Sequence, residues 1–200
     1  MAQIYAISDD ILTPDETILG QTREILECGI KYFQYRSKKT FKNEALVRKL
    51  LELCDDFGAK FIINDDIVFA KKIGAKYVHI GKDDGDIKAV REILGKDAFI
   101  GASCYNDINL AIKAQDAGAS YVAFGSVFSS PTKPAAIRCS FETILQAKEI
   151  LDIPICVIGG INAQNIDQIL SLEVDLIAVI SALYRPESIS ENYKNLSRFL

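Results

Sequence analysis

The chain has 200 residues, which suits one domain or at most two and is long enough to bury an apolar core without disulfides or metal staples. Hydrophobic residues make up 49% and charged residues 25%, as in an ordinary globular protein. With 23 Lys and Arg against 27 Asp and Glu, the net charge is −4, which argues against nucleic-acid or anionic-membrane binding but leaves room for a local cationic pocket.

The five cysteines are Cys28, Cys54, Cys104, Cys139 and Cys156; the count is odd and no CxxC occurs. A reduced, cytoplasmic protein fits this better than a disulfide framework. Only Cys104, expected just past a strand end, falls near a candidate site. The opening MAQIYAIS has no basic region followed by an apolar stretch, so no signal peptide is expected. No apolar run approaches the roughly 18 residues of a membrane span.

Eight short apolar runs recur along the chain: Ile4–Ser8, Tyr32–Tyr35, Lys60–Ile63, Tyr77–Ile80, Ala98–Gly101, Tyr121–Phe124, Ile155–Ile158 and Asp175–Val179. They are near-continuous rather than alternating, as expected for parallel strands covered on both faces. Amphipathic stretches separate them. Thr17–Cys28 ends at Gly29, Lys42–Phe57 at Gly58, and Asp107–Ala117 at Gly118. Phe141–Leu151 precedes Pro154, Asn162–Leu170 follows Gly159 and Gly160, and Ile189–Phe199 closes the chain. The phrases CGIKYFQ, FGAKFII, IGAKYVHI and AGASYVAF repeat one design of helix-ending glycine, tight turn and strand.

Alternating strands and helices predict an α/β fold with a parallel sheet. Eight units point to a single (β/α)₈ TIM-barrel domain over residues 1–200. The runner-up is an open doubly wound sheet, but its G-x-G-x-x-G fingerprint is absent.

Barrel enzymes carry their chemistry on the loops after the strands. Here those loops are polar, whereas the segments before the strands hold little beyond glycine. Gln34, Tyr35, Arg36, Ser37 and Lys38 end the second run; Asn64, Asp65 and Asp66 follow the third. Lys82, Asp83 and Asp84 follow the fourth, and Gly101, Ser103 and Cys104 the fifth. The sixth leads to Ser130, Pro131, Thr132 and Lys133, the seventh to Gly159 and Gly160, and the eighth to Ile180 and Ser181.

Each of these features has a bland reading. A basic turn usually faces water. Asn64, Asp65 and Asp84 are ordinary helix caps, the last for a helix starting near Asp86. The lone His79 lies inside an apolar strand and reads as a packed, hydrogen-bonded core residue rather than a catalyst. The functional reading gains because the pieces complement each other. Arg36, Lys38 and Lys133 suit a pyrophosphate. Asp65 and Asp84, from consecutive strands, suit Mg²⁺ completed by phosphate oxygens and water. Gly160, at the opening of a helix, with Ile180 and Ser181, suits a second phosphate.

These segments resemble the thiamine phosphate synthase family over nearly the whole chain. QYRSK at 34–38, INDD at 63–66, VHIGKDD at 78–84, GAS at 101–103, FGSVFSSPTK at 124–133, IGGI at 158–161 and AVISAL at 178–183 follow in family order. The resemblance implies coupling of a 4-amino-2-methylpyrimidine methyl diphosphate with a thiazole phosphate, giving thiamine phosphate and pyrophosphate. It implies catalytic roles for Arg36, Lys38, Ser103 and Lys133. Gln34, Tyr35, Ser37 and Asn64 would line the pyrimidine diphosphate side. Ser130, Pro131, Thr132, Gly160, Ile180 and Ser181 would line the thiazole phosphate side. Asp65 and Asp84 would hold Mg²⁺. The partners implied are these small molecules; a homo-oligomer is compatible with the sequence.

The chain departs from the family pattern at Ser37, where glutamate is common, at Lys82 for glutamine, at Ser130 for threonine and at Tyr105 for histidine. Two other readings are a metal-free thiazole tautomerase-like enzyme and a non-catalytic barrel that senses a phosphorylated ligand. Tyr105, together with Asp65, Asp84 and the segment from Ser130 to Lys133, speaks against the first. The sensor would need neither both carboxylates nor the cation cluster.

Overall fold

The structure, a computed structural model, describes residues 2–81, 85–129, 138–198 and 200. Eight parallel strands close into a barrel in sequence order: β1 (Gln3–Ile7), β2 (Tyr32–Tyr35), β3 (Lys60–Asn64), β4 (Tyr77–Ile80), β5 (Phe99–Tyr105), β6 (Tyr121–Gly125), β7 (Ile155–Ile158) and β8 (Leu176–Val179). The described helices are α1 (Ile18–Glu27), α2 (Glu44–Asp56), α3 (Ile67–Ile73), α4 (Ile87–Leu94), α5 (Ile108–Asp116), α6 (Phe141–Ile150), α7 (Ile166–Leu170), α8 (Ser181–Tyr184) and α9 (Ile189–Ser197). None of the described helices is long and apolar enough to cross a membrane.

The ends of these elements follow from local chemistry. Asn43, Asp66, Asp107 and Ser140 each accept a backbone N–H of the first helical turn, satisfying donors that the helix leaves open. The repeated phrases place Gly29, Gly58, Gly74 and Gly118 at positive φ. At Gly74 the left-handed conformation ends α3 and sends the Ala75 N–H back to Ala70 O at 2.9 Å.

The eight expected strands all form, with one substantial change. β5 runs on to Tyr105, four residues past Gly101, with an irregular register against β6 between Ser103 and Tyr105. Cys104 is therefore a buried strand residue and not part of a loop, and burial pushes its thiol up to about 12.

Strand alternation divides the core in two. Phe33, Phe61, Ile63 and Ile100 face the helices, where Leu50, Ile25 and Ile144 meet them. Tyr5, Ile62, Tyr121, Cys156 and Leu176 fill the barrel. Burying one such large side chain is worth about 1.5–3 kcal/mol, and both faces of every strand contribute. Tyr32, Tyr77 and Phe99 pave the N-terminal end of the barrel, and the Lys60 ammonium sits 4.8 Å from the Tyr32 ring centroid. That end is a plugged floor; the other end carries the polar residues.

Candidate active site

Along β2, Gln34 points into the barrel and Tyr35 points out. Gln34 is 2% exposed and donates Nε2–H to Tyr5 Oη at 2.7 Å. The Tyr35 ring lies against Phe61 in the layer beneath the helices, which corrects its expected place among the substrate contacts. An odd step along the strand turns the side chain to the opposite face.

The chain then turns outward through Arg36, Ser37 and Lys38, and the loop after β1 holds it. Ser8 is buried, and its hydroxyl accepts the Arg36 N–H at 2.8 Å and donates to Arg36 O at 3.2 Å. Asp9 lies 3.8 Å from the Arg36 guanidinium. Asp10 accepts from Ser37 Oγ at 2.7 Å and from the Lys38 N–H at 2.7 Å. Lys39 pairs with Asp15 at 2.7 Å. The Lys38 side chain is exposed and has no carboxylate partner among the described residues. Ser8, Asp9 and Asp10 were not among the expected site residues, although Ser8 closes the first apolar run and the two aspartates follow it just as the other polar clusters follow theirs.

At the end of β3, Asn64 pairs in register with His79 of β4 and donates Nδ2–H to Asp65 Oδ2 at 2.6 Å. Asp65 has φ 63°, and its N–H donates to His79 O at 2.8 Å. A left-handed conformation is uncommon outside glycine, and such residues cluster at functional sites. The next residue has a structural duty: Asp66 caps α3 through Phe69 N and pairs with Lys42 at 2.8 Å.

Inside the mouth, His79 contacts Ser103 Oγ through Nε2 at 2.9 Å and Tyr121 Oη through Nδ1 at 2.8 Å. The packed, hydrogen-bonded histidine expected from the sequence is what the fold contains. Ser103 also borders a groove of about 240 Å³ between β4, β5 and α5, lined by Ile80, Ala102 and Leu110. A larger cleft, about 290 Å³, lies at the N-terminal ends of β1 and β2 against α9 and is lined by none of the described candidate residues. Its one charged lining residue, Lys31, already donates to Phe57 O at 2.6 Å. The chemistry therefore argues for the mouth and not for this cleft.

The loops after β6 and β7 lean on each other. Val127 N bonds Ile158 O and Phe128 N bonds Gly159 O, each at 3.0 Å. Gly160 is required here: a Cβ on it would lie 2.3 Å from Ser129 O. Ser129, which also accepts a hydrogen bond from Arg138, immediately precedes the segment singled out above. Contrary to the expectation from the sequence, Gly160 does not open a helix, because α7 begins only at Ile166. Asn162 and Asn165 divert the chain first: Asn162 N bonds Asn165 Oδ1 and Gln164 N bonds Asn162 Oδ1, each at 2.9 Å. After β8, Ile180 stands just before the short α8 without a side-chain cap, and Ser181 is exposed at its start.

The structure thus gathers Gln34, Arg36, Ser37, Lys38, Asn64, Asp65, Ser103, Gly160, Ile180 and Ser181 on the C-terminal side of one barrel. Lys82, Asp84, Ser130, Pro131, Thr132 and Lys133 lie outside the described residues. Among the described residues, no group of three or more His, Cys, Asp or Glu could hold a metal ion.

A sequence model described as thiamine monophosphate synthase matches residues 4–183. A thiamine-phosphate synthase of Thioalkalivibrio sulfidiphilus is 40% identical over 191 residues, covering 94% of this chain and 90% of that protein. One from Thiobacillus denitrificans is 40% identical over 198 residues, covering 98% of this chain and 93% of its own length. A thiamine phosphate pyrophosphorylase structure from Pyrococcus furiosus aligns with a TM-score of 0.87 at 31% identity, covering 98% of this chain and 94% of that one. With a family model spanning most of its length and relatives 40% identical over nearly the whole chain, the chain belongs to the thiamine monophosphate synthase family.

Proposed function

We propose that the chain joins a 4-amino-2-methylpyrimidine methyl diphosphate to a thiazole phosphate, releasing pyrophosphate and thiamine phosphate. The observation that carries this reading is the cationic segment Arg36–Lys38, held at the mouth by Ser8 and Asp10, with the bonded pair Asn64 and Asp65 at the end of the next strand.

The reaction breaks the bond between the methylene carbon and the diphosphate oxygen, and the pair of electrons leaves with pyrophosphate. The aminopyrimidine stabilises the positive carbon left behind. The thiazole nitrogen then donates its lone pair to form the new C–N bond. Such a path needs stabilisation of the leaving group and alignment of two rings more than it needs a strong base. A histidine engaged at both ring nitrogens, as His79 is, suits that demand.

Arg36 and Lys38 grip the diphosphate, with Lys133 reaching toward it. Arg supplies a planar fork and Lys a compact charge. Gln34, Asn64 and Ser103 line the pyrimidine side. Gly160, Ile180 and Ser181, with Ser130, Pro131 and Thr132, receive the thiazole phosphate. Ser37 acts through the loop, by its bond to Asp10, and not by touching substrate.

Mg²⁺ fits the donor chemistry. Asp65 offers a hard carboxylate oxygen at a strand end, oriented on one side by the Asn64 amide. Asp65 would hold the ion together with Asp84. When bound, it supplies Lewis-acid stabilisation of the departing diphosphate. The same reading places the protein in the cytoplasm, in keeping with five free cysteines, and gives it small-molecule partners.

The test mixes purified protein, both substrates and Mg²⁺, and follows pyrophosphate and thiamine phosphate together. Equal release of the two products, lost on omitting any component, supports the reading. Interconversion of thiazole phosphate isomers without pyrimidine or metal would make the protein a tautomerase. Ligand binding with no turnover would make it a sensor.

A further inference from the structure

A chain of hydrogen-bonded side chains crosses the barrel beneath the mouth. It runs from Gln34 Nε2 to Tyr5 Oη at 2.7 Å, to Tyr121 Oη at 2.9 Å, to His79 Nδ1 at 2.8 Å, and from His79 Nε2 to Ser103 Oγ at 2.9 Å. Five strands contribute one member each. Tyr121 pairs in register with Gly101, and Gly101 pairs in register with His79. A Cβ at Gly101 would lie 2.1 Å from the Tyr121 ring, so this glycine lets the phenol reach across β5 to the imidazole.

Burial dictates which way the hydrogens point. Gln34 Nε2 can only donate, so the Tyr5 oxygen accepts from it. Tyr5 is 1% exposed, and the other partner of its hydroxyl is Tyr121, so its hydrogen goes there. Tyr121 is 0% exposed, and with Tyr5 already donating to it, its own hydrogen goes to His79 Nδ1. With Gln34 Nε2 facing Tyr5, the reverse direction would strand a buried hydroxyl hydrogen. Desolvation raises both phenol pKa values, so both hydroxyls keep their hydrogens.

We propose that this relay holds His79 as the Nε2–H tautomer, so that Ser103 Oγ accepts from the imidazole and presents its own hydrogen to an acceptor atom of the pyrimidine substrate. His79 is then a positioning residue: it sets Ser103 as a donor without touching the reacting atoms. The link to substrate rests on the assignment of Ser103 to the pyrimidine side; the tautomer does not.

His79 is the only histidine. In ¹⁵N-labelled protein the two imidazole nitrogens are therefore assigned without ambiguity, and their shifts and proton couplings report the tautomer in the wild-type chain. The expected result is an Nε2–H ring with an unprotonated Nδ1. An Nδ1–H ring, or a doubly protonated ring at neutral pH, overturns the proposal, and this measurement decides it even if every variant fails to fold. In Tyr121→Phe the Nδ1 resonance is expected to move as its hydrogen bond disappears; an unmoved resonance in the folded variant overturns the relay. The same variant should lower kcat for coupling about fivefold, near the net worth of one hydrogen bond, with the KM for thiazole phosphate unchanged. Ser103→Ala and the double variant should then lose similar activity, whereas fully additive losses would separate Tyr121 from Ser103. Absence of coupling by the wild-type chain would overturn the proposed reaction, and the tautomer would still be read directly.

Discussion

Asp10 and Ser37 meet at the rim of the barrel mouth at 2.7 Å, and the second carboxylate oxygen of Asp10 takes the neighbouring Lys38 N–H at the same distance. One carboxylate thus fixes the path of the segment that carries Arg36 and Lys38. The serine at 37 brings a donor to meet Asp10. A glutamate at 37 would set two like charges face to face.

Asp10→Ala should therefore raise the KM for the pyrimidine diphosphate about tenfold, since hydrogen bonds to a charged group are worth about 1.5–3 kcal/mol and these are partly exposed. The KM for thiazole phosphate should stay within about twofold, because the mutated contact serves only the cationic segment. Steady-state kinetics with each substrate varied in turn checks the split, and Asp10→Asn, which keeps one acceptor oxygen, should recover part of the loss.

Arg36→Ala should weaken diphosphate binding about ten- to hundredfold and leave thiazole phosphate binding nearly unchanged. Calorimetric titration with each ligand measures both affinities. Equal loss for the two ligands would remove the two-site assignment.

Asp65→Ala should abolish Mg²⁺-dependent coupling while the barrel stays folded. Asp65→Gly separates the two effects more sharply. Glycine adopts φ 63° without the penalty that a side chain carries there, so the melting temperature should hold or rise while coupling is lost. Thermal unfolding and product formation on the same preparation test this, and full turnover in either variant would exclude a metal-binding role.

Asp66 makes a prediction about pH and stability. Burial pushes its carboxyl pKa up, but the Lys42 ammonium and the Phe69 N–H pull harder, leaving it below the ordinary carboxylate value. A group whose pKa falls on folding stabilises the fold above its unfolded pKa, about 3.9, and that stability is lost as pH falls through the lower folded value. Lys42→Met should thus cost about 1 kcal/mol or less at pH 7, the range for a partly exposed pair. The melting curves of wild type and Lys42→Met should converge as pH falls below about 4. A constant gap down to strong acid would show that Lys42 acts through packing on the Phe69 ring, which its ammonium approaches to 5.5 Å, and not through Asp66.

The sequence by itself determined the barrel and the end of it that matters. The eight apolar runs, the helix-ending glycines and the polar residues after each strand are short-range signals, and short-range physics reads them: side-chain period, caps and turns act within a few residues. The departures were local too. β5 outlasts Gly101, and the Asn162–Asn165 turn delays α7, because side-chain bonds and strand pairing competed with pattern alone.

Only the tertiary structure decided who meets whom. Tyr5 and Tyr121 lie 116 residues apart and share a hydrogen bond because barrel closure and strand register aim both phenols at one axis. Asp10 finds Ser37 because β1 and β2 end side by side. Gly101 closes the fifth apolar run in the sequence, and its missing side chain is the space through which Tyr121 reaches His79. Contacts of this kind depend on register between distant strands, and no spacing along the chain encodes register until the barrel has closed.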